Sequence, residues 1–233
     1  MTLQILAIGS DPKTVKGEKL GVLTAIFYGA PANEAGQKKS LCPNSTVGCR
    51  NDCLFKAGRG VMPSVVNARI RKTRWYLERT QEFLDQLDLD ILEVERLAKA
   101  KGMKPAIRLN GTTDILWERH CVMDRHPNVQ FYEYTKFPRK VREKRPDNLD
   151  LTFSLSETDY SKQWAQDWQA IGVNTAVVFS TKKGEPLPST FMGLPVIDGD
   201  LSDARFLDPK GVIVGLRAKG KARHDTSGFV QQV

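Results

Sequence analysis

The spacing of apolar positions along this chain changes near residue 104. Upstream, after Pro63, apolar residues recur at helical intervals through Val66, Ile70, Leu77, Phe83 and Leu84, then Leu87, Ile91, Val94 and Leu97. The pattern predicts a helical segment over 64–102, with Ser64 as its N-cap and Gly102 as its C-terminal stop. The run is long enough for two helices joined near residues 85–90. Downstream, short apolar runs repeat at 105–110, 129–134, 151–156, 175–180, 195–198 and 211–216. Helical patterns fill the gaps at 115–126 and 161–171. An earlier run, 20–31, reads as the first strand of the same sheet. A strand, a helix and another strand at this spacing is the pattern of parallel βα units. Seven such strands predict a single α/β domain over 1–233, a parallel TIM-like β/α barrel, closed or partial. A doubly wound open sheet is the alternative.

Polar residues gather just past these strands. Asn110 and Asp114 follow the second, and Lys136 the third. Ser154 and Glu157 close the fourth, Lys182 follows the fifth, and Asp198 ends the sixth. In β/α barrels the C-terminal rim is where ligands and chemistry sit. These seven residues are therefore the candidates for lining a small-molecule pocket at the barrel mouth. Lys136 and Lys182 suit a carboxylate or phosphate, and Asp114 or Glu157 an amino group or a ribose hydroxyl.

Composition narrows the setting. An apolar fraction of 40% is that of a globular protein. No stretch approaches the about 18 apolar residues of a membrane span. The N-terminus shows no secretory signal, so a cytoplasmic location is expected. The charge is +8, from 35 Lys and Arg against 27 Asp and Glu. That excess favours polyanions such as nucleic acid. It is grouped at Arg69, Arg71, Lys72 and Arg74; at Arg139, Lys140, Arg142, Lys144 and Arg145; and at Arg217, Lys219, Lys221 and Arg223. None of the groups is interleaved with aromatic residues, as a base-stacking platform would be.

The chemistry concentrates at 41–60, LCPNSTVGCRNDCLFKAGRG, in the loop after the first strand. It carries Cys42, Cys49 and Cys53 at C-x6-C-x3-C spacing. Disulfides are disfavoured in a cytoplasm, and three cysteines cannot pair among themselves. Structural zinc usually takes four ligands from paired knuckles. Here only Cys121, His120 and His126, in a later helical stretch, could complete such a set. A lone helical cysteine such as Cys121 reads as a small buried hydrophobe. Three thiolates from one loop also suit a [4Fe–4S] cluster with one iron left open. Zinc and iron–sulfur both remain open on spacing alone.

The barrel and its cysteine loop resemble the radical S-adenosylmethionine enzymes, although that family spaces its cysteines C-x3-C-x2-C. That likeness implies a [4Fe–4S] cluster with S-adenosylmethionine as a further ligand. A closer resemblance runs through CPNSTVGCRNDCLFKAGRG, RIRKTR, RLNGTTDI, MDRHPNVQFYEYTK, LTFSLSE, VVFSTK, LPVIDGDLSDARFLDPKGVIVGLRAKGKAR and the terminal SGFV. These look like the gene-product-88-like family of bacteriophage proteins, which implies a viral source and a host cytoplasm but supplies no reaction. Two functions stand side by side. One is an iron–sulfur protein doing redox or radical chemistry at the barrel mouth. The other is a non-catalytic protein, stapled by zinc or a cluster, whose basic patches meet nucleic acid or a host protein.

Overall fold

The computed structural model describes residues 4–9 and 12–233. Its strands are β1 (Ala7–Ile8), β2 (Val22–Ile26), β3 (Lys104–Arg108), β4 (Gln130–Thr135), β5 (Leu149–Ser154), β6 (Thr175–Phe179), β7 (Thr190–Phe191), β8 (Leu194–Asp198), β9 (Ile213–Arg217) and β10 (Val230–Gln231). The helices are α1 (Pro12–Glu18), α2 (Val47–Asn51), α3 (Pro63–Glu78), α4 (Thr80–Ala100), α5 (Val122–Arg125), α6 (Arg139–Arg142) and α7 (Asp159–Gln169). All seven strands expected from the apolar runs are present. They share one ten-stranded sheet in the order β1-β2-β3-β4-β5-β6-β9-β8-β7, with β10 alongside β6.

From β2 to β6, and on through β9 and β8, every pairing is parallel. A doubly wound sheet reverses its strand order near the middle, whereas here five strands follow chain order. The sheet is nevertheless open, and the expectation of a barrel is corrected in two respects. The last two parallel strands exchange places, β9 lying beside β6 and β8 outside it. Both edges are then capped by short antiparallel strands, β1 on β2 and β7 on β8. Edge strands covered in this way do not seek further partners, so β2 and β8 never meet.

One face of the sheet carries α4 and α7. Phe83, Leu84, Leu87, Ile91 and Val94 of α4 pack in one core with Ile107, Phe131, Phe153 and Val177 of the strands and Trp168 of α7. Apolar residues outnumber polar ones in these strands because a parallel sheet is buried on both faces. On the opposite face Val22, Ala106 and Tyr132 are covered by Phe206, from the turn between β8 and β9. The edge strand β1 is tied to α4 by Asp90, which accepts from the N–H groups of Ile5 and Leu6 at 2.7 and 2.9 Å.

The helical segment divides at Arg79 (φ −137°), earlier than 85–90, and begins at Pro63 after Met62 rather than at a Ser64 cap. Gly102 does end it, at φ +65°. The single helix expected over 115–126 is instead a 3-10 turn, Trp117–His120, and the short α5. Cys121 stands between them at φ +52°, exposed rather than buried. Among the described residues no helix is long and apolar enough to cross a membrane.

Candidate functional site

The strand β2 leads directly into the cysteine loop. Just past its end, Phe27 N–H donates to Arg108 O and Gly111 N–H donates to Phe27 O, both at 3.0 Å, so the exits of β2 and β3 lie side by side. The start of the loop is fastened to them. Asp114 N–H donates to Leu41 O at 2.9 Å. The Cys42 sulfur accepts from Ala32 N–H at 3.4 Å and faces Thr112 O at 3.8 Å.

The second half is fastened to the end of β5. The Glu157 carboxylate accepts from Thr46 Oγ1 at 2.6 Å and from Gly48 N–H at 2.9 Å. Thr46 in turn caps α2, accepting from Cys49 N–H at 3.3 Å. The loop therefore reaches from the rim of β3 to that of β5. Gly48 is required where the C-terminal segment crosses it. A Cβ there would overlap Ser227 Oγ and lie 2.8 Å from the Phe229 Cβ.

Lys136, just past β4, stands between these two anchor points. Its ammonium donates to Ser154 O, Ser154 Oγ, Leu155 O and Ser156 Oγ at 2.8–3.2 Å, and lies 5.2 Å from the centre of the Phe229 ring. Its neighbours there are hydroxyls, carbonyls and an aromatic face, and its charge reaches the Cys49 thiol.

All four cysteines are free thiols. Burial pushes the Cys42 thiol up to about 12, and nearby Asp114, Cys53 and Cys49 push the same way. Burial also raises the Cys49 thiol, against the pull of Lys136. The Cys53 thiol is raised by burial too, while Phe55 N–H, Lys56 and Arg69 oppose it. The three thiols are each partly buried, and Cys49 raises the pKa of both Cys42 and Cys53. Among the described residues no three His, Cys, Asp or Glu side chains meet as ligands of a single metal ion.

Arg69, on α3, is the residue that sequence reasoning missed as a site residue. It was visible only as one of several cations in RIRKTR. Its guanidinium lies 5.0 Å from the Tyr28 ring and 5.5 Å from the Phe55 ring. Two of its buried nitrogens, Nε and Nη1, have no hydrogen-bond partner. Burial lowers its pKa, and the neighbouring Tyr28 and Cys53 counter that effect. A guanidinium held between two rings with idle donors is suited to an anion. The donor set is therefore three thiols flanked by two cations, Lys136 and Arg69. That set fits an anionic thiolate-held group, since thiolates and sulfides need positive charge and N–H donors nearby.

The other candidates are placed as follows. Asn110 is buried, and its side chain joins Ile115, Glu133, Thr113 and Trp117. Asp114 is buried and accepts from Thr135 Oγ1 and from Lys136 N–H. Ser154 and Glu157 meet Lys136 and the loop respectively. Lys182 is exposed, with its N–H on the Glu185 carboxylate. Asp198 pairs with Arg217 at 2.8 Å on β8, two strands beyond β6. His120 bonds Tyr76 OH at 2.9 Å, and His126 faces Asp88 and Glu95, so both are engaged on the helical side. A hollow of about 390 Å³ lined by Pro138, Arg139, Lys140, Glu143, Trp164 and Asp167 also opens by α6 and α7.

A family model described as Gene product 88 matches residues 5–233. No curated protein and no solved structure matches the chain. The likeness to radical S-adenosylmethionine enzymes finds no support in these comparisons.

Proposed function

The chain belongs to the Gene product 88 family, and for it we propose an iron–sulfur protein in which Cys42, Cys49 and Cys53 hold one [4Fe–4S] cluster at the C-terminal rim of the sheet. One observation carries the reading: three thiols from a single loop are anchored over the ends of β3 and β5 and flanked by Lys136 and by the idle donors of Arg69. A cubane takes one thiolate at each of three irons, so its ligands need not meet at one point. Bound there, it supplies one-electron chemistry and leaves one iron open to a substrate or cofactor. Cys121 lies outside this set.

In this reading the protein residues have distinct tasks. Glu157 holds the loop closed from Thr46 and Gly48. Lys136 and Arg69 offset the negative charge of the thiolates. Ser154 is fixed to Lys136, and a small-molecule ligand at the rim would meet this pair.

S-adenosylmethionine is the proposed ligand of the open iron. The sequential parallel strands and the position of the loop past β2 support it. The competing reading is a non-catalytic metal staple, zinc or cluster, in a protein that binds nucleic acid or a host protein. The ties from Thr46 and Gly48 to the exit of β5, and from Cys42 to that of β3, favour that reading, because a staple needs such ties. Incubating dithionite-reduced protein with S-adenosylmethionine decides between them. The radical reading predicts 5′-deoxyadenosine, and a cluster-bearing protein that forms none is a staple.

A further inference from the structure

The third basic group and the cysteine loop meet on one surface. The chain after Cys53 makes two consecutive 3-10 turns, Leu54–Lys56 and Gly58–Val61. They press together closely enough that a Cβ on Gly60 would lie 2.7 Å from Leu54 O. A further 3-10 turn, Gly220–His224, follows β9 and packs against the first of them. At that junction a Cβ on Gly220 would be 3.0 Å from the Cβ of Ala57.

The surface so formed is apolar at its centre. Leu54 is 55% exposed, Val61 56% and Met62 50%. Large aliphatic side chains are exposed elsewhere too, Val47, Leu201 and Leu207 among them, but here they stand in the turns packed beside a basic segment. Around them stand Arg59, Lys221 and Arg223, exposed and without an ion pair or side-chain hydrogen bond among the described residues. Their companions Arg217 and Lys219 are different, being paired with Asp198 and Asp200. Cys53 lies at the edge of this surface, capping the first turn.

We infer that this face, Leu54–Met62 with Gly220–His224, is the docking site of an acidic one-electron carrier protein. The inference rests on the iron–sulfur reading above. An aliphatic centre with a cationic rim complements the acidic surface of such a carrier and steers its approach. The location next to Cys53 sets the carrier beside the thiol-held group, where short distance matters. In the transfer, one electron leaves the carrier, which is oxidised by one unit, and the group at the thiols is reduced by one. No bond is made or broken. Nucleic acid is the less fitting occupant, because the exposed residues of the face are aliphatic where bases would need aromatic rings.

The test is direct binding of the purified protein to an oxidised flavodoxin, an acidic flavin carrier, with a single-stranded oligonucleotide titrated in parallel. Binding to the carrier should weaken at least tenfold in the double variant Lys221→Glu/Arg223→Glu. It should weaken by a similar factor in Leu54→Ser/Val61→Ser, and fall steeply with salt. Lys162→Glu, on the exposed face of α7, should bind as wild type does. Unchanged affinity in both double variants overturns the inference, as does binding of the oligonucleotide in place of the carrier. Binding needs no electron transfer, so it is scored apart from the iron content. Brown protein that ignores the carrier defeats the docking site alone. Colourless, iron-free protein defeats the iron–sulfur reading, and with it the electron-delivery role, even if the carrier binds.

Discussion

At the scale of single residues, the most heavily loaded side chain is Arg142, fully buried and paired with Glu118 and Glu133, each at 2.7 Å. Burial pushes the Glu133 carboxyl from its ordinary 4.5 up to about 7, because desolvation outweighs the Arg142 charge and the Asn110 amide. A raised carboxyl means the folded chain holds a proton that the unfolded chain has released. Glu133 therefore favours folding fully below about 4.5, and that contribution is lost as pH rises through about 7. Glu133→Gln removes this dependence. Urea unfolding at pH 5 and pH 8 should show the variant gaining stability relative to wild type at the higher pH, and an identical difference at both would refute it. The same residues mark the limit of sequence reading. Asn110 reads as a rim residue because it follows a strand. Its side chain instead pins the turn to Trp117 and Glu133, and no spacing rule distinguishes the two. Arg142 reads as one member of a basic patch, whereas burial and two carboxylates from other elements define it.

Among the elements, the strands were legible because apolar runs of five or six residues between polar turns have few other readings. The helical segment was legible in extent but not in its division. The apolar spacing continues unbroken across Arg79, and the break is set by backbone angles that no residue type announces. The basic groups were the least legible. Lys72 donates to Ile5 O, Arg74 to Ala35 O, and Arg217 pairs with Asp198, so much of the positive charge is internal fastening. Lys221 and Arg223 are exceptions. The cysteine loop behaves as an element in its own right, held at its middle by Glu157. Glu157→Ala removes two hydrogen bonds to a charged group, each worth about 1.5–3 kcal/mol. Amide hydrogen exchange over 46–53 should then quicken at least tenfold while β3, β4 and β5 keep their protection. Equal protection of the loop in both proteins would show that something else holds it.

For the whole molecule, the open sheet matters more than its likeness to a barrel. With β9 and β8 exchanged and both edges capped, the rim is an arc rather than a ring, and the thiol loop covers the β2–β5 end of it. The strand β10 adds to β6, next to β5, bringing Phe229 against Lys136. The fold thus brings the loop after β2 and the strand β10 to one site. Sequence alone could show three cysteines past a strand, but not that the C-terminus returns to them. The measurement that bears most directly on this account is iron and acid-labile sulfide per chain in anaerobically purified protein, in parallel with Cys49→Ala and Cys121→Ser. The account predicts brown wild-type protein with about four irons and about four sulfides per chain, as a cubane requires. Cys49→Ala should be bleached or bleach rapidly, and Cys121→Ser should keep its colour and iron. Colourless wild-type protein carrying one zinc, or loss of iron in Cys121→Ser, would contradict it.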